Sequence, residues 1–300
     1  MAEILLGVNN GFALKNWPEP MAWARIIAQD LNLREVQFSF DLLDPTLPEP
    51  GRSASCQQVM EAVRHFGLSL RTTFTGLIVY AQNHLAHPDS NARTHARRWF
   101  EAALEATSQL SAEGTGGHIG AMSVADFSAP DRRRLLRTTL VDSVRELTCL
   151  AAALGQQYFL WELMPSRREI PHTPQEAIDL MQEVNEGAGL PVWLCFDLGH
   201  CSSLDLVGPG DPHAWLETLL PWTRVVHLQQ TDGKGDRHWP FTPETAKVGI
   251  VHPQRTVEVM KDSPFEQVDL VFELGHALDA PDQQIIDEHK WSVEAWAKWV

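Results

Sequence analysis

Three carboxylates each close a short apolar run: Glu162 in Phe159-Leu160-Trp161-Glu162, Asp197 in Leu194-Cys195-Phe196-Asp197, and Glu273 in Leu270-Val271-Phe272-Glu273. One acid at the end of one strand would cap a helix or pair with an arginine and needs no further account. Several acids gathered near one axis are different, because buried like charges are unstable unless a cation or protons neutralise them. A divalent metal meets that requirement. An oxygen-rich ligand set with at most one imidazole suits Mn²⁺, Mg²⁺ or Co²⁺ better than a thiolate-seeking zinc site. Mn²⁺ is the first expectation, with Mg²⁺ and Co²⁺ as alternatives.

Polar residues accompany these acids. His200 follows Asp197 by three residues, and His118 sits among glycines in Gly116-Gly117-His118-Ile119-Gly120; both are candidates for substrate contact. Gln37 and Thr73 close two further apolar runs. His227 and Gln229 alternate onto one face of a strand, about 6.6 Å apart at about 3.3 Å per residue, so only one of them is expected to reach an ion.

The elements that must position these groups follow a simple order. Apolar, β-rich runs recur at Ile4–Val8, Glu35–Phe40, Leu68–Phe74, Gly114–Ile119, Gln157–Leu163, Val192–Asp197, Arg224–Gln229 and Val268–Leu274. Helical patterns lie between them, for instance Met21–Ala28, Leu135–Leu154, and Pro174–Met181 behind a Thr173 N-cap. Eight strand-helix units in a chain of 300 residues predict an α/β protein forming a single (β/α)₈ TIM barrel, one domain over residues 1–300. An open doubly wound sheet is disfavoured, because the segment after the first strand, Asn9-Asn10-Gly11-Phe12-Ala13, lacks a G-x-G-x-x-G turn. In closed barrels the chemistry sits at the C-terminal ends of the strands, where these acids lie.

Composition narrows the function. The net charge is −15, from 24 Lys and Arg against 39 Asp and Glu, with no basic run, so nucleic acid is not an expected partner. No stretch approaches the roughly 20 apolar residues of a membrane span, and the first residues lack a basic region and a cleavage site, so a cytoplasmic protein without a membrane partner is expected. The four cysteines are widely spaced without C-x-x-C and read as reduced thiols.

The strand-end Glu162, then Asp197-Leu198-Gly199-His200, then His227 and Gln229, then Glu273 resemble the xylose isomerase-like TIM-barrel superfamily of sugar isomerases and epimerases. The segments Asn9–Pro18, Thr73–Gly76, Gly116–Ser123, Leu228–Gly233 and His238–Thr245 are similar to those of the tetrulose-phosphate (erythrulose-phosphate) 3-epimerases. The resemblance implies that Glu162, Asp197 and Glu273 hold the metal, with Gln229 preferred as fourth ligand and His227 as the alternative. It also assigns Glu162 and Glu273 to proton transfer. The partner implied is a small sugar or sugar phosphate, and a homodimer is among the expected assemblies.

Epimerising a carbon beside a ketone removes a proton too weakly acidic for an unaided carboxylate, and a divalent metal chelating the substrate oxygens closes that gap. Two carboxylates on opposite faces then suffice for 3-epimerisation, whereas delivery on one face to the neighbouring carbon would give aldose-ketose isomerisation. A phosphate would be held by the basic residues after Gln229, among them Lys234, Arg237, His238 and Lys247, and Trp239 with Phe241 would form an apolar lid. His118, His200 and His227 join Arg237, His238, Trp239 and Lys247 as the expected substrate contacts. Rival readings are a dehydratase of a polyhydroxy ketone, of the dehydroshikimate or inosose type, an abasic-site endonuclease, and a non-catalytic interaction protein.

Overall fold

Each of the eight apolar runs forms a strand: β1 (Glu3–Asn9), β2 (Glu35–Ser39), β3 (Ser69–Phe74), β4 (Gly114–Gly117), β5 (Tyr158–Leu163), β6 (Val192–Asp197), β7 (Thr223–Leu228) and β8 (Gln267–Phe272). The structure, a computed structural model, describes residues 1–202 and 210–300. The strands pair in parallel in chain order, and β1 closes on β8 to complete a (β/α)₈ barrel. Their composition explains the closure: strands covered on both faces must be apolar throughout, and every residue of β5 is buried.

Four strands, β2, β4, β7 and β8, end earlier than the sequence pattern suggests. At β4 the cause is Gly117, whose φ of +129° takes the chain out of the extended conformation. His118, Gln229 and Glu273 therefore stand one residue beyond the last residue of their strands, on the rim of the barrel. The helix expected from Leu135 starts at Pro130, because Pro is favoured in a first turn and the charged stretch Asp131–Arg134 obscures the apolar period there. Helix Pro174–Asn185 begins as expected, the Thr173 hydroxyl accepting the Glu176 N–H.

Two cores hold the site in place. Between barrel and helices pack Trp23, Phe38, Phe100, Phe159, Phe272 and Trp296, all fully buried. Inside the barrel, Phe74, Tyr158, Leu160, Cys195, Val225 and Val271 form a dry floor. Below that floor Arg71 bridges Asp269 at 3.2 Å and Glu113 at 2.6 Å, closing the N-terminal mouth. The C-terminal mouth is thereby left for polar groups. Among the described residues no helix is long and apolar enough to cross a membrane.

Candidate active site

Strands β5, β6, β7 and β8 bring Glu162, Asp197, His227 and Glu273 together, with one ligand atom from each lying within 4.8 Å of the others. His227 Nδ1 is at the centre: 3.0 Å from Glu273 Oε2, 3.5 Å from Glu162 Oε1 and 3.9 Å from Asp197 Oδ2. Glu162, Asp197 and His227 are buried. Asp197 Oδ2 and His227 Nδ1 nonetheless make no hydrogen bond. Buried polar atoms are normally paired, so two orphans aimed into one cluster of acids fit a site for a divalent cation bound by oxygen and one imidazole nitrogen.

Gln229 is placed differently. Its Nε2 donates to Asp197 Oδ1 at 2.8 Å and to Asp236 Oδ1 at 2.6 Å, while its Oε1 accepts the backbone N–H groups of Arg237 and His238. The amide thus ties the loop after β7 to Asp197. Gly199 makes room for it, since a Cβ there would lie 2.2 Å from Gln229 Cδ.

That loop adds a group the sequence reading overlooked. Asp236 lies 3.5 Å from His200 Nε2 and 3.2 Å from His238 Nε2, and Asp197, His200 and His238 form a second close cluster. His200 Nδ1 faces the Leu163 carbonyl at 2.6 Å, and His238 Nδ1 faces that of Glu273 at 2.9 Å. The only sequence cue is the Lys234-Gly235-Asp236-Arg237-His238 run, in which an acid sits between candidate cations.

The electrostatics follow from crowding. Burial pushes Glu162 and Asp197 above the usual carboxylate range. Burial also acts to raise Glu273, but the adjacent His227 outweighs it and holds Glu273 at about 2. Burial disfavours charge on His227 as well, yet Cys195, Glu273 and Glu162 around the ring raise it well above its ordinary value. His238 reaches about 10 against the same desolvation, because Asp236 bonds it.

A cavity of about 410 Å³ opens over the cluster, lined by Glu162, Glu273, His118, His200, Arg237 and His238 among others. His118 is buried in its wall with neither ring nitrogen hydrogen-bonded. Arg237 is half-engaged elsewhere, pairing with Asp232 at 3.1 Å and lying over the Trp239 ring. Trp239 and Lys247 are not among the lining residues. Trp239 forms an antiparallel bridge with Gln230, Lys247 is exposed on a short 3₁₀ turn, and Phe241 packs on Phe272 and Trp296 as core.

Comparison with known proteins agrees with the barrel fold. A family model described as "Xylose isomerase-like TIM barrel" matches residues 27–295. The chain is 24% identical over 299 residues to the D-erythrulose 1-phosphate 3-epimerase of Brucella abortus (strain 2308), covering 98% of this chain and 96% of that protein. A crystal structure of a protein from Rhodospirillum rubrum ATCC 11170, provisionally named a xylose isomerase, superposes with a TM-score of 0.91 at 32% identity, over 99% of both chains. The D-psicose 3-epimerase of Clostridium cellulolyticum H10, crystallised with D-tagatose, shares the fold with a TM-score of 0.72 at 15% identity, over 98% of this chain and 99% of that one.

Proposed function

The chain belongs to the xylose isomerase-like TIM-barrel family, and from that premise we propose that it is a metal-dependent ketose 3-epimerase acting on a short ketose phosphate, a tetrulose phosphate first. The observation that carries the reading is the placement of two carboxylates, Glu162 on β5 and Glu273 beyond β8, at one cluster with β6 and β7 between them. Acids so separated around the barrel can address opposite faces of one substrate carbon. The similarity to an erythrulose-phosphate epimerase over nearly the whole chain supports the substrate class.

Glu162, Asp197, His227 and Glu273 are the proposed metal ligands. His227 is preferred to Gln229 because the Gln229 oxygen is already bonded to two backbone N–H groups. A divalent cation there, Mn²⁺ first, would supply the positive charge that makes the proton beside the ketone removable near neutral pH. Glu162 and Glu273 exchange that proton at C3, one removing it and the other returning it on the opposite face. His200 and His118 hold substrate hydroxyls, and Arg237 with His238 faces the phosphate.

The test incubates each enantiomer of erythrulose phosphate with Mn²⁺-supplemented protein in deuterated water. Inversion with deuterium at C3 is the expected result. Recovery of both substrates unlabelled and uninverted overturns the epimerase reading, and net loss of water from a polyhydroxy ketone replaces it with the dehydratase one.

A further inference from the structure

We propose that the side-chain amides of Asn9 and Gln37 fix the tautomer of His227, so that Nδ1 is the nitrogen offered to a divalent cation and Gln37 is a positioning residue for metal capture. The inference rests on the metal reading above and adds to it how this chain presents its one nitrogen ligand.

A chain of hydrogen bonds runs from a backbone group inward. The Gly11 N–H donates to Asn9 Oδ1 at 2.8 Å, which makes that oxygen the acceptor and turns Asn9 Nδ2 toward the barrel axis. Asn9 Nδ2 then donates to Gln37 Oε1 at 2.8 Å. The same Gln37 oxygen lies 2.8 Å from His227 Nε2. A carbonyl oxygen carries no proton, so the proton of that contact belongs to Nε2, and a singly protonated ring keeps its lone pair on Nδ1. At the other end of the amide, Gln37 Nε2 donates to Thr72 Oγ1 at 3.2 Å, in agreement with the same orientation.

Amide orientations are settled by their hydrogen-bond networks, and here each alternative fails. Turning Asn9 over would set its NH₂ against the Gly11 N–H, and turning Gln37 over would set its NH₂ against that of Asn9. Asn9, Gln37, Thr72 and His227 are all buried, so water does not relieve either conflict. Gly11 protects the first link, since a Cβ at that position would stand 2.9 Å from Asn9 Oδ1. Asn9 Nδ2 also lies 3.4 Å from Glu273 Oε1, so one amide steadies both the nitrogen ligand and a proposed acid/base group. Partners of ligating histidines set ring orientation and ligand basicity in this way generally.

The experiment measures Mn²⁺ affinity by calorimetry for wild type, Gln37→Leu and Gln37→Glu, and reads the ring ¹⁵N shifts of His227. Gln37→Leu should bind Mn²⁺ about 10- to 100-fold more weakly, and Gln37→Glu, which keeps an acceptor at Nε2, should recover most of the loss. A merely space-filling Gln37 would not show that rescue. Unchanged affinity in Gln37→Leu overturns the inference. So does a proton on Nδ1 in metal-free wild type at a pH where the ring carries a single proton, a result that needs no variant to fold. Wild type that takes up no Mn²⁺ would instead defeat the metal reading, and the metal-free shifts would still decide the tautomer.

Discussion

His227 Nδ1 stands 3.0 Å from Glu273 Oε2, closer than to the oxygen of Glu162 at 3.5 Å or of Asp197 at 3.9 Å. One nitrogen therefore touches the acids of three different strands. The groups around the ring favour a proton on His227, and a divalent ion binding at Nδ1 must displace it. Metal uptake should accordingly release a proton near neutral pH.

Metal binding should be visible as stability. A ligand that binds only the folded chain, at about 100 times its Kd, adds about 2.7 kcal/mol. Melting curves with and without Mn²⁺ should show that gain in wild type, a smaller one in Asp197→Asn and a smaller one still in His227→Ala. Gln229→Ala should retain more of the effect than His227→Ala, because Gln229 acts through Asp197 and the loop. A larger loss in Gln229→Ala would make the amide the ligand.

His118 should matter to catalysis and little to folding. Its ring is buried in the cavity wall, burial holds its pKa at about 4, and neither nitrogen has a hydrogen-bond partner. A neutral imidazole in that state can bond one substrate hydroxyl. His118→Phe fills the same space without the bond and should lower kcat/KM about tenfold, the size of one hydrogen bond of about 1.4 kcal/mol, with little change in Tm. Unaltered kcat/KM would assign the ring to packing.

How far the sequence carries these conclusions differs between groups for physical reasons. Strands buried on both faces announce themselves as continuous apolar runs, which is why β6 was readable to the residue. Glu162 and Asp197 were readable as acids ending such runs. The choice between His227 and Gln229 was not, because strand alternation puts both on one face and only the loop N–H groups at Arg237 and His238 decide where the Gln229 oxygen turns. Asp236 lies in a loop without periodicity, so nothing in the spacing marks it. Gln37 was visible as a strand-end residue, but its contact with His227 joins positions 190 apart across the barrel. Trp239 and Lys247 looked available for substrate because charge and aromaticity are legible; the Gln230 bridge that holds Trp239 in place is not.

Acid should unfold the protein partly through His84. This ring packs against Trp99 and Phe100, and burial lowers its pKa to about 3 from an ordinary 6.5. A depressed folded-state pKa means that the unfolded chain binds the extra proton first. The stabilising contribution is thus complete above about pH 6.5 and is lost progressively as pH falls toward about 3. At pH 5 the loss from this residue alone is about 2 kcal/mol. Urea unfolding at pH 7 and pH 5 should show His84→Leu losing about that much less than wild type between the two conditions. Equal losses would mean that His84 is not the titrating group.

The two proposed acid/base groups should separate under isotope analysis. If Glu162 and Glu273 serve opposite faces of the substrate carbon, neither alone can invert it, and Glu162→Gln and Glu273→Gln should each lower epimerisation by about 10²- to 10⁴-fold. The variants need not be equivalent in exchange. The enantiomer whose C3 proton faces the surviving carboxylate can still lose and regain hydrogen on that one side, so each variant should incorporate deuterium into one enantiomer of erythrulose phosphate without inverting it, and the two variants should label opposite enantiomers. Both residues are also proposed ligands, so Mn²⁺ content must be measured alongside to separate loss of the ion from loss of the base. Inversion that persists in either metal-loaded variant, or labelling of the same enantiomer by both, would rule out a two-base mechanism in this barrel.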